Sequence, residues 1–305
     1  MMSSGGAEGT ATEVEAEKEA EEVYCANCGV AQVDDIKLEE CGGCQSVRYC
    51  SEWCRVVHRQ QHEEECKQRK AELHEKELFE QPEETCYGEC PICFFPLSLD
   101  EEKSSLSSCC CELVCDGCNY ADYKSSGGDR CPFCREPRLD GDEENNKRAM
   151  KRVEANDPNA LQQIGAIRHK EGDYDKAFEY WTKAAELGDA FSHNNLGDMY
   201  YEGEGVEKDE EKKVYHLEKA AIGGHPNARY NLAIIEGKNG NVERAVKHFI
   251  IAAKLGHEKS MKALWKYYSD GNITKEKLES TLRSHKAAID ATKSPQREAA
   301  EAYYR

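Results

Sequence analysis

Residues 196–233, LGDMYYEGEGVEKDEEKKVYHLEKAAIGGHPNARYNLA, contain the unit that decides the fold of the C-terminal half of the chain. The same pattern recurs before and after this stretch. Four equivalent segments begin at Ala160, Ser192, Ala228 and Ser260, spaced by 32, 36 and 32 residues. Self-similarity at a fixed period of this length is typical of repeat architectures in which each repeat is one supersecondary unit.

The repeated positions are small or apolar. An aliphatic residue recurs four residues after the start of each unit: Ile164, Leu196, Leu232 and Leu264. Alanine pairs recur near the ends: Ala184–Ala185, Ala220–Ala221, Ala252–Ala253 and, less regularly, Ala287–Ala288. Glycine closes the first three units: Gly188, Gly224 and Gly256. The alanines allow two antiparallel helices to approach closely, and each glycine supplies a left-handed C-cap. We therefore predict an all-α solenoid of helix-hairpin repeats over residues 157–290, because an ordinary helical bundle would not explain the phased endings.

This pattern resembles the Sel-like repeat, a relative of the tetratricopeptide repeat. The resemblance is carried by a leucine–glycine pair, a tyrosine, spaced glycines, an aspartate and the Ala-Ala-x2-Gly ending. The first and third units shorten the central turn to KEGDYDKA and KNGNVERA, and the fourth has Trp265 in place of the glycine, as expected for a degenerate cap. The resemblance implies a concave binding surface and no chemistry.

All 17 cysteines lie between Cys25 and Cys134, and most form Cys-x2-Cys pairs. Two cysteines at this spacing can turn both sulfurs toward one tetrahedral zinc ion. Disulfides are the alternative, but the N-terminal residues lack the apolar core of a secretory signal, so nothing in the sequence directs the chain to an oxidising compartment. The sequence therefore predicts zinc-stabilised modules followed by the solenoid.

The first cysteine group supplies eight donors over residues 25–66 and resembles a MYND-type zinc finger, including YCSEWCR at 49–55. In that family the ligand sets interleave. The resemblance implies one zinc bound by Cys25, Cys28, Cys50 and Cys54, and another bound by Cys41, Cys44, His62 and Cys66. The spacings Cys50-x3-Cys54 and His62-x3-Cys66 predict that each pair lies one turn apart on a helix face. His58 is also available as a ligand, but we expect it to pack. Closed four-coordinate sites indicate structural zinc, and MYND-type fingers typically bind proline-containing peptides.

The second cysteine group, over residues 86–138, resembles a RING-type finger, which is also interleaved. The resemblance implies one zinc bound by Cys90, Cys93, Cys115 and Cys118. The other site would combine Cys131 and Cys134 with two thiolates from Cys109, Cys110 and Cys111, of which we favour Cys109 and Cys110. A usual RING has a histidine in this middle segment, and this chain has none between His74 and His169. Cys86 is interpreted as a spare thiol. The two fingers together predict four zinc ions.

A RING-type ubiquitin ligase docks a ubiquitin-conjugating enzyme on an apolar groove and positions the ubiquitin thioester for transfer. The resemblance implies groove contacts from Ile92, Pro132 and either Tyr120 or Tyr123, with Arg135 in the position of the basic residue that bridges enzyme and ubiquitin. The missing histidine and the missing tryptophan before Cys131 depart from the pattern of active ligases. Enzymatic activity therefore stays an open alternative to a plain binding module.

The remaining segments are connections. We expect an acidic disordered tail over 1–22, a charged helical linker over 67–85, a linker and helix over 139–156, and a C-terminal tail over 291–305. The basic cluster at 147–152 fits either a nuclear-import signal or a solvated helix face. The net charge is −18, from 41 basic and 59 acidic residues, which argues against nucleic acid as a partner. No apolar run reaches the ~20 residues of a membrane span, so we expect no membrane partner. The missing secretory signal predicts an intracellular protein, cytoplasmic or nuclear.

These observations favour two functions. The first is an adaptor that binds proteins or peptides through small α+β zinc fingers and a helical-repeat scaffold. The second is a ubiquitin ligase whose MYND-type finger and repeats recruit substrates. A MYND-bearing methyltransferase would need a cofactor-binding domain, and only helical repeats follow residue 157. The three regions together resemble proteins of diatoms and related algae, which implies an architecture but no activity.

Overall fold

The computed structural model describes residues 23–33, 36–139 and 141–304. The predicted acidic tail at 1–22 lies outside them. The chain forms two compact units, one up to Glu75 and the other from Lys76 onward. Each unit is built around its own apolar clusters.

The first unit is a small α+β module whose core is made largely of cysteines. Strand β1 (Glu39–Glu40) pairs antiparallel with β2 (Arg48–Tyr49), and helix α1 (Glu52–Phe79) follows. Cys25, Tyr49 and Cys54 are each no more than 3% exposed and form its central cluster. A module with so few large apolar side chains needs another source of stability, which bound metal commonly supplies.

The second unit begins with a second α+β module. A 3₁₀ turn at Glu101–Lys103 leads into β3 (Ser104–Ser107), which pairs antiparallel with β4 (Glu112–Cys115). Helix α2 (Asp116–Ser126) follows directly and ends at Gly127, whose φ of +81° gives a left-handed cap. The core of this module again mixes cysteines with a few apolar residues, including Tyr87, Leu97 and Val114.

The remainder of the second unit is helical. Its helices are α3 (Asp142–Glu154), α4 (Pro158–Lys170), α5 (Tyr174–Glu186), α6 (Ala190–Glu202), α7 (Glu210–Ile222), α8 (Pro226–Lys238), α9 (Val242–Lys254), α10 (Glu258–Ser269), α11 (Lys275–Ala291) and α12 (Pro295–Tyr304). The closest helix pairs are α4 with α5, α6 with α7, and α8 with α9, and each second helix also packs against the first helix of the next pair. This confirms the predicted solenoid of helix hairpins.

Three of these repeats end in the same backbone motif. Gly188 has a φ of +89°, its N–H bonds to the carbonyl of Ala185, and the N–H of Asp189 bonds to the carbonyl of Ala184. The paired bonds and the left-handed residue define a Schellman motif. The endings at Gly224 and Gly256 repeat the same two bonds. The Ala-Ala-x2-Gly signature therefore encodes both the close helix contact and the turn into the next repeat.

The last turn of α1, from Lys76 onward, belongs to the second unit and packs against its solenoid helices. Leu78 is fully buried against α7 and α8 residues. The guanidinium of Arg229, itself 0% exposed, donates to the carbonyls of Leu78 (2.6 Å) and Glu80 (3.3 Å). Arg229 thus satisfies carbonyls that the end of a helix leaves without intrahelical partners. Burial lowers the pKa of Arg229 to about 10, so it stays charged at neutral pH.

The C-terminal end of the chain differs from the expected tail. Residues 295–304 form helix α12, which packs along α2 of the second cysteine-rich module. Ala300 is fully buried there, and the Tyr303 ring lies 4.9 Å from that of Tyr120 between centroids. Helix α11 packs against both α9 and α10, and Trp265 on α10 remains 49% exposed. Among the described residues, no helix is both long and apolar enough to cross a lipid bilayer.

Equivalent glycines in the first two repeats allow a direct test of the helix contact. A Cβ at Gly165 would lie 2.5 Å from Trp181 ring atoms, whereas one at Gly197 would lie 3.3 Å from Leu217 side-chain atoms. We expect Gly165→Ala to lower the free energy of unfolding by about 1–3 kcal/mol, because the indole cannot yield without repacking. Gly197→Ala is the matched control and should be close to neutral, because its mild crowding opposes a helix-propensity gain of about 1 kcal/mol. Urea unfolding followed by circular dichroism measures both, and equal losses would contradict this account.

Candidate metal centres

Four groups of cysteine and histidine side chains each bring four donor atoms within 4.8 Å of one another. Cluster 1 contains Cys25, Cys28, Cys50 and Cys54. Cluster 2 contains Cys41, Cys44, His62 and Cys66. Cluster 3 contains Cys90, Cys93, Cys115 and Cys118. Cluster 4 contains Cys109, Cys110, Cys131 and Cys134. These are the sixteen residues that the sequence predicts as ligands.

The distances within the clusters fit tetrahedral zinc. With Zn–S bonds of about 2.3 Å, the sulfur atoms of a tetrahedral site lie about 3.8 Å apart. The observed Sγ–Sγ distances are 3.6 Å for Cys28–Cys50 and 3.8 Å for Cys93–Cys115. The His62 Nε2 atom lies 3.1 Å from Cys44 Sγ. A disulfide would need about 2.05 Å, so the geometry favours metal binding. The four clusters are consistent with four structural zinc sites.

Clusters 1 and 2 interleave along the chain and share helix α1. His62 and Cys66 lie on α1 one turn apart, as their spacing predicts. Cys54 also lies on α1, but Cys50 precedes the helix, which begins at Glu52. The prediction that Cys50 and Cys54 share one helical face is therefore wrong. The segment from Cys50 still curves back into cluster 1, where its Sγ atom is 3.6 Å from Cys54 Sγ.

His58 packs beside cluster 2 without joining the donor set. Its Nδ1 atom is 3.1 Å from the hydroxyl of Tyr49, and its ring stacks on that of His62 with centroids 5.6 Å apart. This placement agrees with the expected packing role. His62 is only 5% exposed, so the stack shields the ring that points into the cluster.

Clusters 3 and 4 interleave in the second module. Cys109 and Cys110, which are adjacent in sequence, both reach cluster 4, where the Cys109–Cys134 and Cys110–Cys131 sulfur distances are 3.3 and 3.9 Å. The next residue, Cys111, has a φ of +54° and directs its thiol to the amide oxygen of Gln163 at 3.6 Å. The turn therefore selects two of the three consecutive cysteines for the cluster.

Cys86 also lies outside the four clusters. Its backbone N–H donates to the carbonyl of Gly224, and burial raises the pKa of its thiol. A raised pKa lowers the reactivity of this half-buried thiol, which fits the expected spare cysteine.

Four of the five Cys-x2-Cys pairs adopt one knuckle geometry. The residue after each second cysteine is left-handed: Gly29, Gln45, Phe94 and Arg135, with φ between 56° and 72°. In each knuckle the N–H of this residue donates to the carbonyl of the first cysteine at 2.9–3.0 Å. The turn aims backbone N–H groups at the first sulfur. The fifth pair, Cys115 and Cys118, instead lies at the start of α2, where helix N–H groups face the sulfurs.

These N–H groups favour the thiolate form that binds zinc. Burial would raise the pKa of Cys25, but N–H donors from Cys28, Cys50 and Asn27 lower it to about 6. Burial likewise opposes the shift at Cys131, whose pKa is lowered to about 6 by the Ser107 hydroxyl and knuckle N–H groups.

The residues expected to form a conjugating-enzyme groove have different surroundings. Ile92 is 36% exposed, whereas Pro132 is buried. Tyr120 lies under Tyr303 of helix α12. The guanidinium of Arg135 donates to the buried carboxylate of Asp122 at 2.7 Å.

Sequence reasoning missed two side chains beside cluster 3. Arg297 and Gln296 of helix α12 approach Cys93 and Cys118, respectively. The only sequence signal is Ser294–Pro295, which is typical of a helix start. Nothing in the local pattern indicates where that helix docks.

Counting bound zinc tests the donor assignments. The intact chain should carry four zinc ions, and His62→Ala and Cys110→Ser should each lose one, because each removes a donor from a four-donor set. His58→Ala and Cys111→Ser are the matched controls and should retain four. Native mass spectrometry and metal analysis of the purified chains measure the count. The assignment would be contradicted if His62→Ala lost no more zinc than His58→Ala, or if Cys110→Ser lost no more zinc than Cys111→Ser.

Comparison with known proteins finds family matches in two regions of the chain. The family model described as MYND finger matches residues 25–66, and the model described as Sel1 repeat matches residues 163–189, 190–225 and 226–257. Chitin synthase regulatory factor 4 of Schizosaccharomyces pombe is 29% identical over 86 residues, which cover 28% of this chain and 14% of that protein. The chain thus spans a small fraction of this curated relative.

Two solved structures resemble the chain at low similarity. A Sel1 repeat protein from Oxalobacter formigenes has 21% identity and a TM-score of 0.41, covering 49% of this chain and 64% of that one. The protective antigen c5321 of uropathogenic Escherichia coli, described as an SLR fold, has 23% identity and a TM-score of 0.39, covering 61% of this chain and 39% of that one. The family matches together identify a MYND finger at residues 25–66 and Sel1 repeats over residues 163–257.

Proposed function

We propose that this protein is a zinc-dependent interaction adaptor, in which the metal shapes binding modules and takes no part in chemistry. The observation that carries the proposal is the closure of the metal clusters. Each cluster offers four protein donors within 4.8 Å, which fill the four positions of a tetrahedral zinc ion. Catalytic zinc needs an open position for water or substrate. The family matches add two kinds of module that act through protein–protein contacts.

The first finger has an apolar surface suited to a peptide. Trp53, Val56 and Val57 are 67%, 59% and 47% exposed at the start of helix α1. Their spacing aligns them along one face of the helix. The flanking side chains, including Glu52 and Arg55, are charged. An exposed tryptophan beside aliphatic side chains is the composition of an interface anchor, and the MYND match favours an extended proline-containing peptide as the ligand.

A binding assay with labelled proline-containing peptides tests this surface. We expect at least one peptide of the panel to bind the intact chain, and Trp53→Ala to weaken that binding by tenfold or more, because loss of an anchoring tryptophan commonly costs about 2 kcal/mol. Trp265→Ala removes another half-exposed tryptophan, on α10, and should leave affinity unchanged.

Fluorescence anisotropy gives the affinities, and metal analysis checks that every variant retains its zinc. No binding across the panel by fully zinc-loaded protein would reject the peptide surface. Equal weakening by both tryptophan variants would also reject it.

A second surface lies within the second unit, between the second finger and the repeats. A cleft of ≈ 1230 Å³ is bordered by the 83–89 segment, residues 96–103, the α9–α10 turn, and helices α11 and α12. Its lining combines apolar side chains such as Leu99 and Ile289 with acidic ones such as Glu102 and Glu298. We assign this cleft to the same adaptor function, because a partner entering it would contact the finger and the solenoid at once.

Ubiquitin ligation is the second candidate function. The interleaving of clusters 3 and 4 and the exposure of Ile92 favour it. Two contacts oppose it: Arg135 is held by Asp122, and Tyr120 is covered by Tyr303. A conjugating enzyme that used these side chains would first have to displace both contacts. For this reason we place the ligase second.

A ubiquitin-transfer assay separates the two candidates. Zinc-loaded protein with ubiquitin, activating enzyme, ATP and a panel of conjugating enzymes should build chains only if the second finger is a ligase. In that case Ile92→Ala should abolish transfer without releasing zinc, because its side chain supports docking and binds no metal. Ile234→Ala is the matched control, since Ile234 on α8 is 37% exposed against 36% for Ile92. No thioester discharge with any conjugating enzyme would remove the ligase candidate.

The metal clusters also indicate the cellular compartment in which the protein acts. Sixteen thiolate and imidazole donors hold zinc only while the cysteines remain reduced. We therefore propose an intracellular, cytoplasmic or nuclear site of action.

A further inference from the structure

The C-terminal helix contributes two polar side chains to the surroundings of cluster 3. The guanidinium of Arg297 lies 3.5 Å from Cys93 Sγ through Nη2. The Gln296 amide lies 3.9 Å from Cys118 Sγ and donates to the carbonyl of Gly117 at 2.9 Å. Two successive residues of α12 therefore point donors toward two different sulfurs of one cluster.

Arg297 is held in this orientation by backbone carbonyls. Its Nη1 atom donates to Pro96 (2.6 Å) and Thr292 (2.8 Å), and its Nη2 atom donates to Phe95 (3.1 Å). The carbonyls of Phe95 and Pro96 belong to the loop that leaves the Cys93 knuckle. The planar guanidinium thus ties this loop to the start of α12, an arrangement that lysine cannot reproduce.

Helix α12 can lie close to cluster 3 because a glycine, Gly117, stands between the predicted ligands Cys115 and Cys118. A Cβ at Gly117 would lie 2.8 Å from Arg297 Cγ and 3.0 Å from its backbone nitrogen. The sequence Cys115-Asp-Gly-Cys118 thus leaves space for Arg297 where any larger residue would push the helix away. Farther along α12, Tyr303 packs on Tyr120. These contacts form a fitted interface.

The contact between Arg297 and Cys93 matters because zinc-loaded cluster 3 is negatively charged. Four thiolates around one Zn²⁺ carry a net charge of −2, and an adjacent guanidinium reduces it to −1. Groups that hydrogen-bond to metal ligands typically change metal affinity by about 10- to 100-fold when they are mutated.

We propose that Arg297 and Gln296 of helix α12 are positioning residues that hold Cys93 and Cys118 and strengthen zinc binding at cluster 3. Helix α12 then completes the second finger. This inference concerns the metal site and is independent of which partner the adaptor binds.

The experiment uses full-length chains that carry Arg297→Gln, Arg297→Lys or Arg283→Gln. Arg283 is exposed on α11, a different helix from Arg297, so its substitution removes one positive charge without removing a donor contact described above and is the matched control. Each protein is titrated with a zinc chelator, and native mass spectrometry counts the remaining ions. Pulsed alkylation followed by peptide mapping then identifies which cysteines have been released.

We expect Arg297→Gln to release one zinc at chelator concentrations about 10- to 100-fold lower than the unmodified chain. Cys93 and Cys118 should become alkylated first, while Cys131 and Cys134 of cluster 4 stay protected in the same finger. Arg297→Lys should release this zinc at a chelator concentration between those for Arg297→Gln and the unmodified chain. Lysine keeps the positive charge but loses the contacts with the backbone carbonyls. Arg283→Gln should match the unmodified chain.

Cluster 4 separates a local effect from general unfolding. If Arg297→Gln exposed Cys131 and Cys134 as fast as Cys93 and Cys118, Arg297 would act through the stability of the whole finger, and the proposal would be overturned. Unchanged zinc retention in Arg297→Gln would overturn it as well. A chain that ends before Pro295 extends the test, since it should lose the cluster 3 zinc at least as easily as Arg297→Gln.

Discussion

Tetrahedral coordination is the constraint on which the two cysteine-rich modules depend. The apolar clusters of both fingers are made largely of the cysteines themselves, such as Cys25 and Cys54 in the first and Cys90 and Cys115 in the second. Without zinc, these cores would hold several thiols in contact and few large side chains. Metal binding commonly supplies the stability that such small cores lack. It also fixes the loops and helix ends that present their surfaces.

The repeats depend on a different constraint, which involves no metal. Each hairpin needs small residues where its helices cross and a left-handed glycine where it turns into the next repeat. Gly165 meets the Trp181 indole, and Gly188 ends the same unit in a Schellman motif. Where Trp265 replaces the small residue, its side chain remains half exposed and the regular series ends. The repeat units thus stack by local rules.

Local rules also explain how much the sequence could predict. The Cys-x2-Cys spacings and the Ala-Ala-x2-Gly endings act within a few residues, so the division into fingers and solenoid and the donor sets follow from pattern. The docking of α12 does not, because Arg297 and Cys93 are separated by 204 residues. That contact depends on complementary surfaces, which include the space above Gly117. The start of α1 at Glu52, after Cys50, was missed because ligand spacing alone does not fix where a helix begins.

In the second unit, helix α12 takes part both in helix packing and in the surroundings of a metal cluster. It extends the helical region, yet it packs on α2 and reaches the sulfurs of cluster 3. Tyr303 covers Tyr120, so a partner that binds this face of α2 must compete with α12. If α12 raises the affinity of cluster 3 for zinc, displacing it must weaken zinc binding there, because coupling between two binding events is reciprocal. Conversely, zinc in cluster 3 holds the Cys93 loop in the form that Arg297 recognises, and so favours the covered state of α2.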